Sequence, residues 1–143
     1  MATDLAATAT PNVPQQARSI ATRLRLLDAT VECLVELGYG GATTTRICER
    51  AGVSQGALFK HFPTKAALIV ATVAHLFEEL IEEFRSGFRA IDADGDRVAS
   101  ALRLLDRIFR EPRLHVAFEL YLVSRHDAEL RAEADKLRER ARG

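Results

Sequence analysis

Apolar residues recur every three or four positions through most of this chain, the spacing of helices that bury one face. From Ala17 to Leu37 the series Ile20, Leu24, Leu27, Val31 and Leu34 predicts a long amphipathic first helix, halted by Gly38, Gly40 and Gly41. Two short pieces follow. Ile47 and Ala51 lie four apart on one, Leu58 and Phe62 four apart on the other, so each carries a small stripe that only a neighbouring helix can cover. Thr43, Thr44 and Thr45 offer a hydroxyl cap for the first piece, which runs to about Ala51. Ser54 caps the second, running to about Phe62, and Pro63 closes it. Between them Ala51, Gly52, Val53 and Ser54 supply a small residue, a glycine free to take positive φ, an apolar plug and a cap, in the order a tight turn between packed helices requires.

Thr64 opens a fourth helix, whose stripe of Leu68, Thr72, His75, Leu76, Glu79, Leu80 and Phe84 drifts around the axis and carries it to about Gly87. Residues 92–96 form a polar break that lacks the downstream Glu of a calcium loop and reads as a linker. Val98, Leu102, Leu105, Ile108 and Phe109 predict a fifth helix, stopped at Glu111 and Pro112. Leu114, Phe118, Tyr121 and Leu122 predict a sixth; Asp127 caps a seventh from Ala128, with a thin stripe of Leu130, Ala134 and Leu137. The expected fold class is all-α. Residues 1–16, rich in Ala and Thr with two prolines and no sustained period, read as a flexible tail.

Composition narrows the function. At 143 residues and 48% hydrophobic, the chain suffices for one helical domain or two small ones sharing an interface. A formal net charge of zero excludes a uniformly basic coat, yet between residues 44 and 65 Arg46, Arg50, Lys60 and Lys65 oppose Glu49 alone. Positive charge therefore concentrates on the two short helices, as a nucleic-acid contact requires. Cys33 and Cys48 fall within helical patterns without a CxxC partner and read as buried thiols of a reducing cytosol. No apolar run approaches the roughly 18 residues of a membrane span, and the N-terminus lacks the layout of a signal peptide, so a cytoplasmic location is expected. Nothing pairs a nucleophile with a base, and His75, His115 and His126 have no trusted ligand spacing, so neither catalysis nor a metal or cofactor is expected.

From Thr43 to Leu68 the chain reads TTTRICERAGVSQGALFKHFPTKAAL. Together with the first helix and its glycine stop, this stretch closely resembles the N-terminal DNA-binding domain of TetR/AcrR transcriptional regulators, over about residues 18 to 80. The resemblance implies three helices forming a helix-turn-helix DNA-binding domain at 17–66. A long fourth helix would join it to a helical ligand-binding and dimerisation domain at 67–143, incomplete because the family usually has further helices. It also implies a ligand-responsive repressor, homodimeric in the full-length protein, whose third helix enters the major groove of a palindromic double-stranded operator. Gln55, Gly56 and Ala57 would meet base edges, Gln55 being suited to a bidentate contact with adenine. Thr44, Thr45, Arg46, Ser54, Phe59, Lys60, His61 and Lys65 would meet the phosphate backbone, with Phe59 standing where the family often has Tyr. For a small-molecule effector, Leu102, Phe109, Phe118 and Tyr121 are candidate lining residues beside Ile108 and Leu122, although the same spacing suits a plain core. A helical interaction module, or a dimer-deficient regulator that no longer holds its operator tightly, is the alternative.

Overall fold

A computed structural model of the chain describes residues 14–93 and 95–143. Among these residues are seven α-helices and no strand: α1 (Gln15–Gly41), α2 (Thr44–Ala51), α3 (Gln55–His61), α4 (Lys65–Arg89), α5 (Arg97–Phe109), α6 (Pro112–His126) and α7 (Ala128–Arg142). The expected all-α class and helix order agree with this architecture. Most of the expected tail lies outside the described residues. Its last two positions are corrected, because Gln15 and Gln16 already belong to α1, directly after Pro14, whose ring presets φ for the chain entering the helix. Asp94 of the polar break also lies outside the described residues, and Asp96 closes that break by accepting the Ala99 N–H at 3.0 Å, capping α5.

The glycine stop acts through one residue. Gly38 takes φ 68 and ψ 179, so the regular part of α1 ends at Leu37 and a kink separates a further turn from it. The Ala42 N–H returns to the Gly38 carbonyl at 3.1 Å, which brings the chain round to α2.

Two apolar clusters hold the helices together. In the first, Leu26, Leu27 and Leu34 of α1, Ile47 of α2, Leu58 of α3 and Leu68 and Ile69 of α4 close on one another. Leu26 and Ile69 lie outside the expected stripes, whereas Ile20 and Leu24 of the α1 stripe are exposed, beyond the part of α1 that the other helices cover. Val116, Leu120 and Leu130 join the same cluster. The core of the first three helices is thus continuous with α6 and α7. The second cluster packs Val31 of α1 and Leu76 and Leu80 of α4 against Leu104, Ile108, Leu114 and Ala117. Thr30 and Thr72 are fully buried within their helices and donate to the carbonyls of Leu26 and Leu68, at 2.6 and 2.8 Å, so neither hydroxyl is left unsatisfied.

Candidate nucleic-acid interface

Residues 43–65 form a rigid unit because each short helix is capped by a side chain and plugged into the core. Of the three threonines, Thr43 is the one that caps α2: its hydroxyl accepts the Arg46 N–H at 3.3 Å. Thr44 and Thr45 are released to the helix surface, Thr44 half-buried and Thr45 exposed. Gly52 ends α2 at φ 65, ψ 39, and its N–H reaches back to the carbonyls of Cys48 and Glu49. Ser54 then caps α3 by accepting the Ala57 N–H at 3.1 Å. These caps satisfy helix-end amides that would otherwise be orphaned beside the core.

α3 has two unlike faces. Leu58 is fully buried and Phe62 nearly so, and the Arg23 guanidinium covers the Phe62 ring 4.4 Å from its centroid. Gln55, Gly56, Phe59 and Lys60 are exposed, while Ala57 and His61 are half-buried. Lys60 forms no ion pair among the described residues. Gln55 Nε2 donates to Thr45 Oγ1 at 2.9 Å, so the starts of α2 and α3 are tied to one another across the turn. A side chain added at Gly56 would meet only the Ser54 hydroxyl, 3.8 Å away; the helix surface here is low and open.

The cations of this unit divide into distinct roles. Arg50 faces α1, where its guanidinium lies 3.4 Å from Glu32 and 2.5 Å from Glu36. The bond to Glu36 raises the Arg50 pKa and holds the Glu36 carboxyl below its ordinary range. The local positive charge expected from composition is reduced by this pairing. Arg46 donates to the Gly41 carbonyl at 3.1 Å, and the Lys65 ammonium sits 4.9 Å from the centre of the Tyr39 ring, half-buried at the start of α4. Burial raises the Tyr39 hydroxyl pKa, with Asp127 and Glu129 adding to the effect. Cys33 and Cys48 are both buried free thiols, their pKa values raised by desolvation.

The four candidate effector-lining residues are not gathered into one cavity. Leu102 is exposed beside Phe88, Arg97 and Val98; Phe109 and Phe118 flank an open groove between α4, α5 and α6. Tyr121 alone borders an apolar cleft of about 230 Å³ between α4, α6 and α7, with Val70, Phe77, Leu120, Leu130 and Leu137. The plain-core reading is corrected too, since Leu102, Phe109, Phe118, Tyr121 and Leu122 are all largely exposed and only Ile108 is buried. Helical period alone cannot say which side of a stripe a later helix covers.

One grouping sets two carboxylates beside a histidine for which the sequence offered no trusted ligand spacing. His75 and Glu79, one turn apart on α4, meet Asp28 of α1, with the His75 Nε2 3.3 Å from each carboxylate. The first two could be paired from their spacing; nothing in the sequence brings Asp28 to them. No described helix is long and apolar enough to cross a membrane.

The family pattern described as "Bacterial regulatory proteins, tetR family" matches residues 26–72. An uncharacterized HTH-type transcriptional regulator of Mycobacterium tuberculosis is 36% identical over 117 residues, covering 82% of this chain and 60% of its own length. The HTH-type transcriptional regulator CymR of Pseudomonas putida is 30% identical over 128 residues, covering 90% of this chain and 63% of its own. The chain therefore spans less than two thirds of either relative. In fold it resembles the crystal structure of the multidrug binding protein EbrR complexed with imidazole, at a TM-score of 0.59 and 23% identity over 80% of this chain and 65% of that one.

Proposed function

Because the chain belongs to the tetR family of bacterial regulatory proteins, we propose that it is a sequence-specific DNA-binding transcriptional regulator, a ligand-responsive repressor reading a palindromic operator through α3. The observation that carries this reading is the two-faced α3: Leu58 and Phe62 anchor it while Gln55, Gly56, Phe59 and Lys60 stand clear of the protein. In that pose Gln55 addresses a base edge, Gly56 and Ala57 allow close approach, and Lys60 meets phosphate. Thr45 pre-orients the Gln55 amide from the neighbouring helix. Thr44, Arg46 and Lys65 position the flanks, with Ser54 serving as cap and His61 and Phe59 bordering the backbone path. Two copies place two α3 helices in successive major grooves, about 34 Å apart on one face of the duplex. The apolar cleft beside Tyr121 suits a small apolar effector.

Fluorescence anisotropy with labelled fragments from beside the protein's own gene tests the proposal, with sedimentation reporting whether the bound species is a dimer. Gln55→Ala should flatten discrimination at one base pair of each half-site by about 1–3 kcal/mol. Lys60→Ala should weaken all sequences alike and reduce the slope of log affinity against log salt by about 1. Parent-like binding by both variants would remove α3 from the reading role. A monomer without salt-dependent affinity would favour an interaction module instead.

A further inference from the structure

The cluster between α1 and α4 has a geometry that ion pairing alone does not explain well. His75 Nε2 faces Asp28 Oδ1 and Glu79 Oε1 at 3.3 Å each, and the three donor atoms all lie within 4.8 Å of one another. One imidazole nitrogen has a single hydrogen or a single lone pair, so it cannot serve two carboxylates by linear hydrogen bonds at once. A cation at the centre can. Ligand atoms held about 2.1 Å from a tetrahedral ion stand roughly 3.4 Å apart, close to the observed spacing of the nitrogen from either oxygen.

The surroundings fit the same role. His75 is seated against the helices with its side chain 17% exposed, while Asp28 and Glu79 are 61% and 43% exposed, leaving one side open to water as a further ligand. His75 and Glu79 are four residues apart and so share one helical face, a spacing that presents two ligands to one ion. Arg113 of α6 lies 3.7 Å from Glu79 Oε2, and 3.3 and 3.6 Å from Glu83 and Glu111. It holds the second oxygen of Glu79 and so turns Oε1 toward the imidazole, the orienting part that outer groups play around metal ligands.

We propose that Asp28, His75 and Glu79 bind a first-row divalent metal ion, which clamps α1 to α4. The imidazole in the donor set favours such an ion over magnesium or calcium, which take oxygen ligands. The clamp joins the helix that organises the first three to the long helix leading away from them, so occupancy stiffens the angle between the two.

Zinc is the probe ion. The full chain, stripped of metal with chelator, is titrated with zinc chloride by calorimetry, and its thermal unfolding is followed by circular dichroism with and without zinc. The parent should bind one ion per chain and unfold at a higher temperature with zinc. His75→Gln and Asp28→Asn should each lower affinity about tenfold or more and abolish the shift in unfolding temperature. His115→Gln, outside the cluster, should bind as the parent does. If the parent takes up no zinc, or if either cluster variant binds with parental affinity, the three side chains are an ion pair and the proposal is wrong. Circular dichroism of the metal-free variants separates loss of ligand from loss of fold, and Asp28→Asn, at an exposed position, carries the test if His75→Gln is unfolded. No DNA is present in the titration, so its failure leaves the operator-reading proposal unaffected.

Discussion

At the scale of single residues, the DNA-facing unit depends on which partner each polar side chain finds. Arg50 belongs in sequence to the basic group around the turn, but Glu32 and Glu36 of α1 claim it. Its work is to tie α2 to α1. Bonding to Arg50 depresses the folded-state pKa of Glu36, so the pair stabilises the fold above the ordinary carboxylate range, about pH 4.3. That contribution is lost as pH falls through the lower, folded-state value, because Glu36 must then take up a proton and release the bond. Arg50→Gln should accordingly lower the unfolding temperature at neutral pH and make it less sensitive to acidification below about pH 4.3. Unfolding temperatures measured across that range check it; parallel curves for parent and variant would mean that the pair contributes nothing. Lys60 is the contrasting case, an exposed cation with no ion pair among the described residues and hence free to meet an anion.

At the scale of elements, the turn between α2 and α3 separates two glycines that composition treats alike. Gly52 sits at φ 65, where a Cβ is strained whatever the space around it, and Gly56 lies in an open helical turn. Gly52→Ala should therefore destabilise the protein by about 1–2 kcal/mol. Gly56→Ala should be neutral or stabilise by up to about 1 kcal/mol, since alanine loses less backbone freedom in a helix. Urea denaturation of the two variants decides the matter, and equal losses would place the turn's constraint elsewhere. The Gly56 variant carries a second consequence: if close approach to DNA matters at that position, operator affinity falls while stability does not. The capping threonines follow a similar logic. Any of Thr43, Thr44 and Thr45 has the chemistry to cap α2, but only Thr43 has the extended backbone that lets its hydroxyl accept from Arg46.

At the scale of the whole molecule, the helix-turn-helix does not own its core. Leu130 of α7 is 1% exposed and sits in the cluster with Leu26, Ile47, Leu58 and Leu68. Leu130→Ala should cost about 2–5 kcal/mol, the range for emptying a buried leucine site. The loss should appear in one cooperative transition that includes α1 to α3. Hydrogen exchange at the amides of α2 and α3 reads this directly. Unchanged protection there, with loosening confined to α6 and α7, would mean that the two halves unfold separately. The exposed Phe109, Phe118 and Leu122 belong to the same scale, because whether a helical stripe is core or surface depends on how many other helices arrive to cover it.

Local chemistry determined the seven helices, the turn and its caps, and the two-faced α3, because stripe, glycine and hydroxyl act within a few residues of one another. The stretch from Thr43 to Leu68 was legible for that reason as two capped helices around a turn, while Gln55 and Lys60, exposed on α3, were singled out through the family resemblance. Contacts between residues far apart in the chain were decided by tertiary packing. It paired Arg50 with Glu32 and Glu36, drew Leu130 into the same core cluster as Leu58, and scattered Leu102, Phe109, Phe118 and Tyr121 over separate surfaces. It also brought Asp28 to His75, 47 residues away, which no helical period encodes, since period records which face of a helix is buried and not which helix buries it.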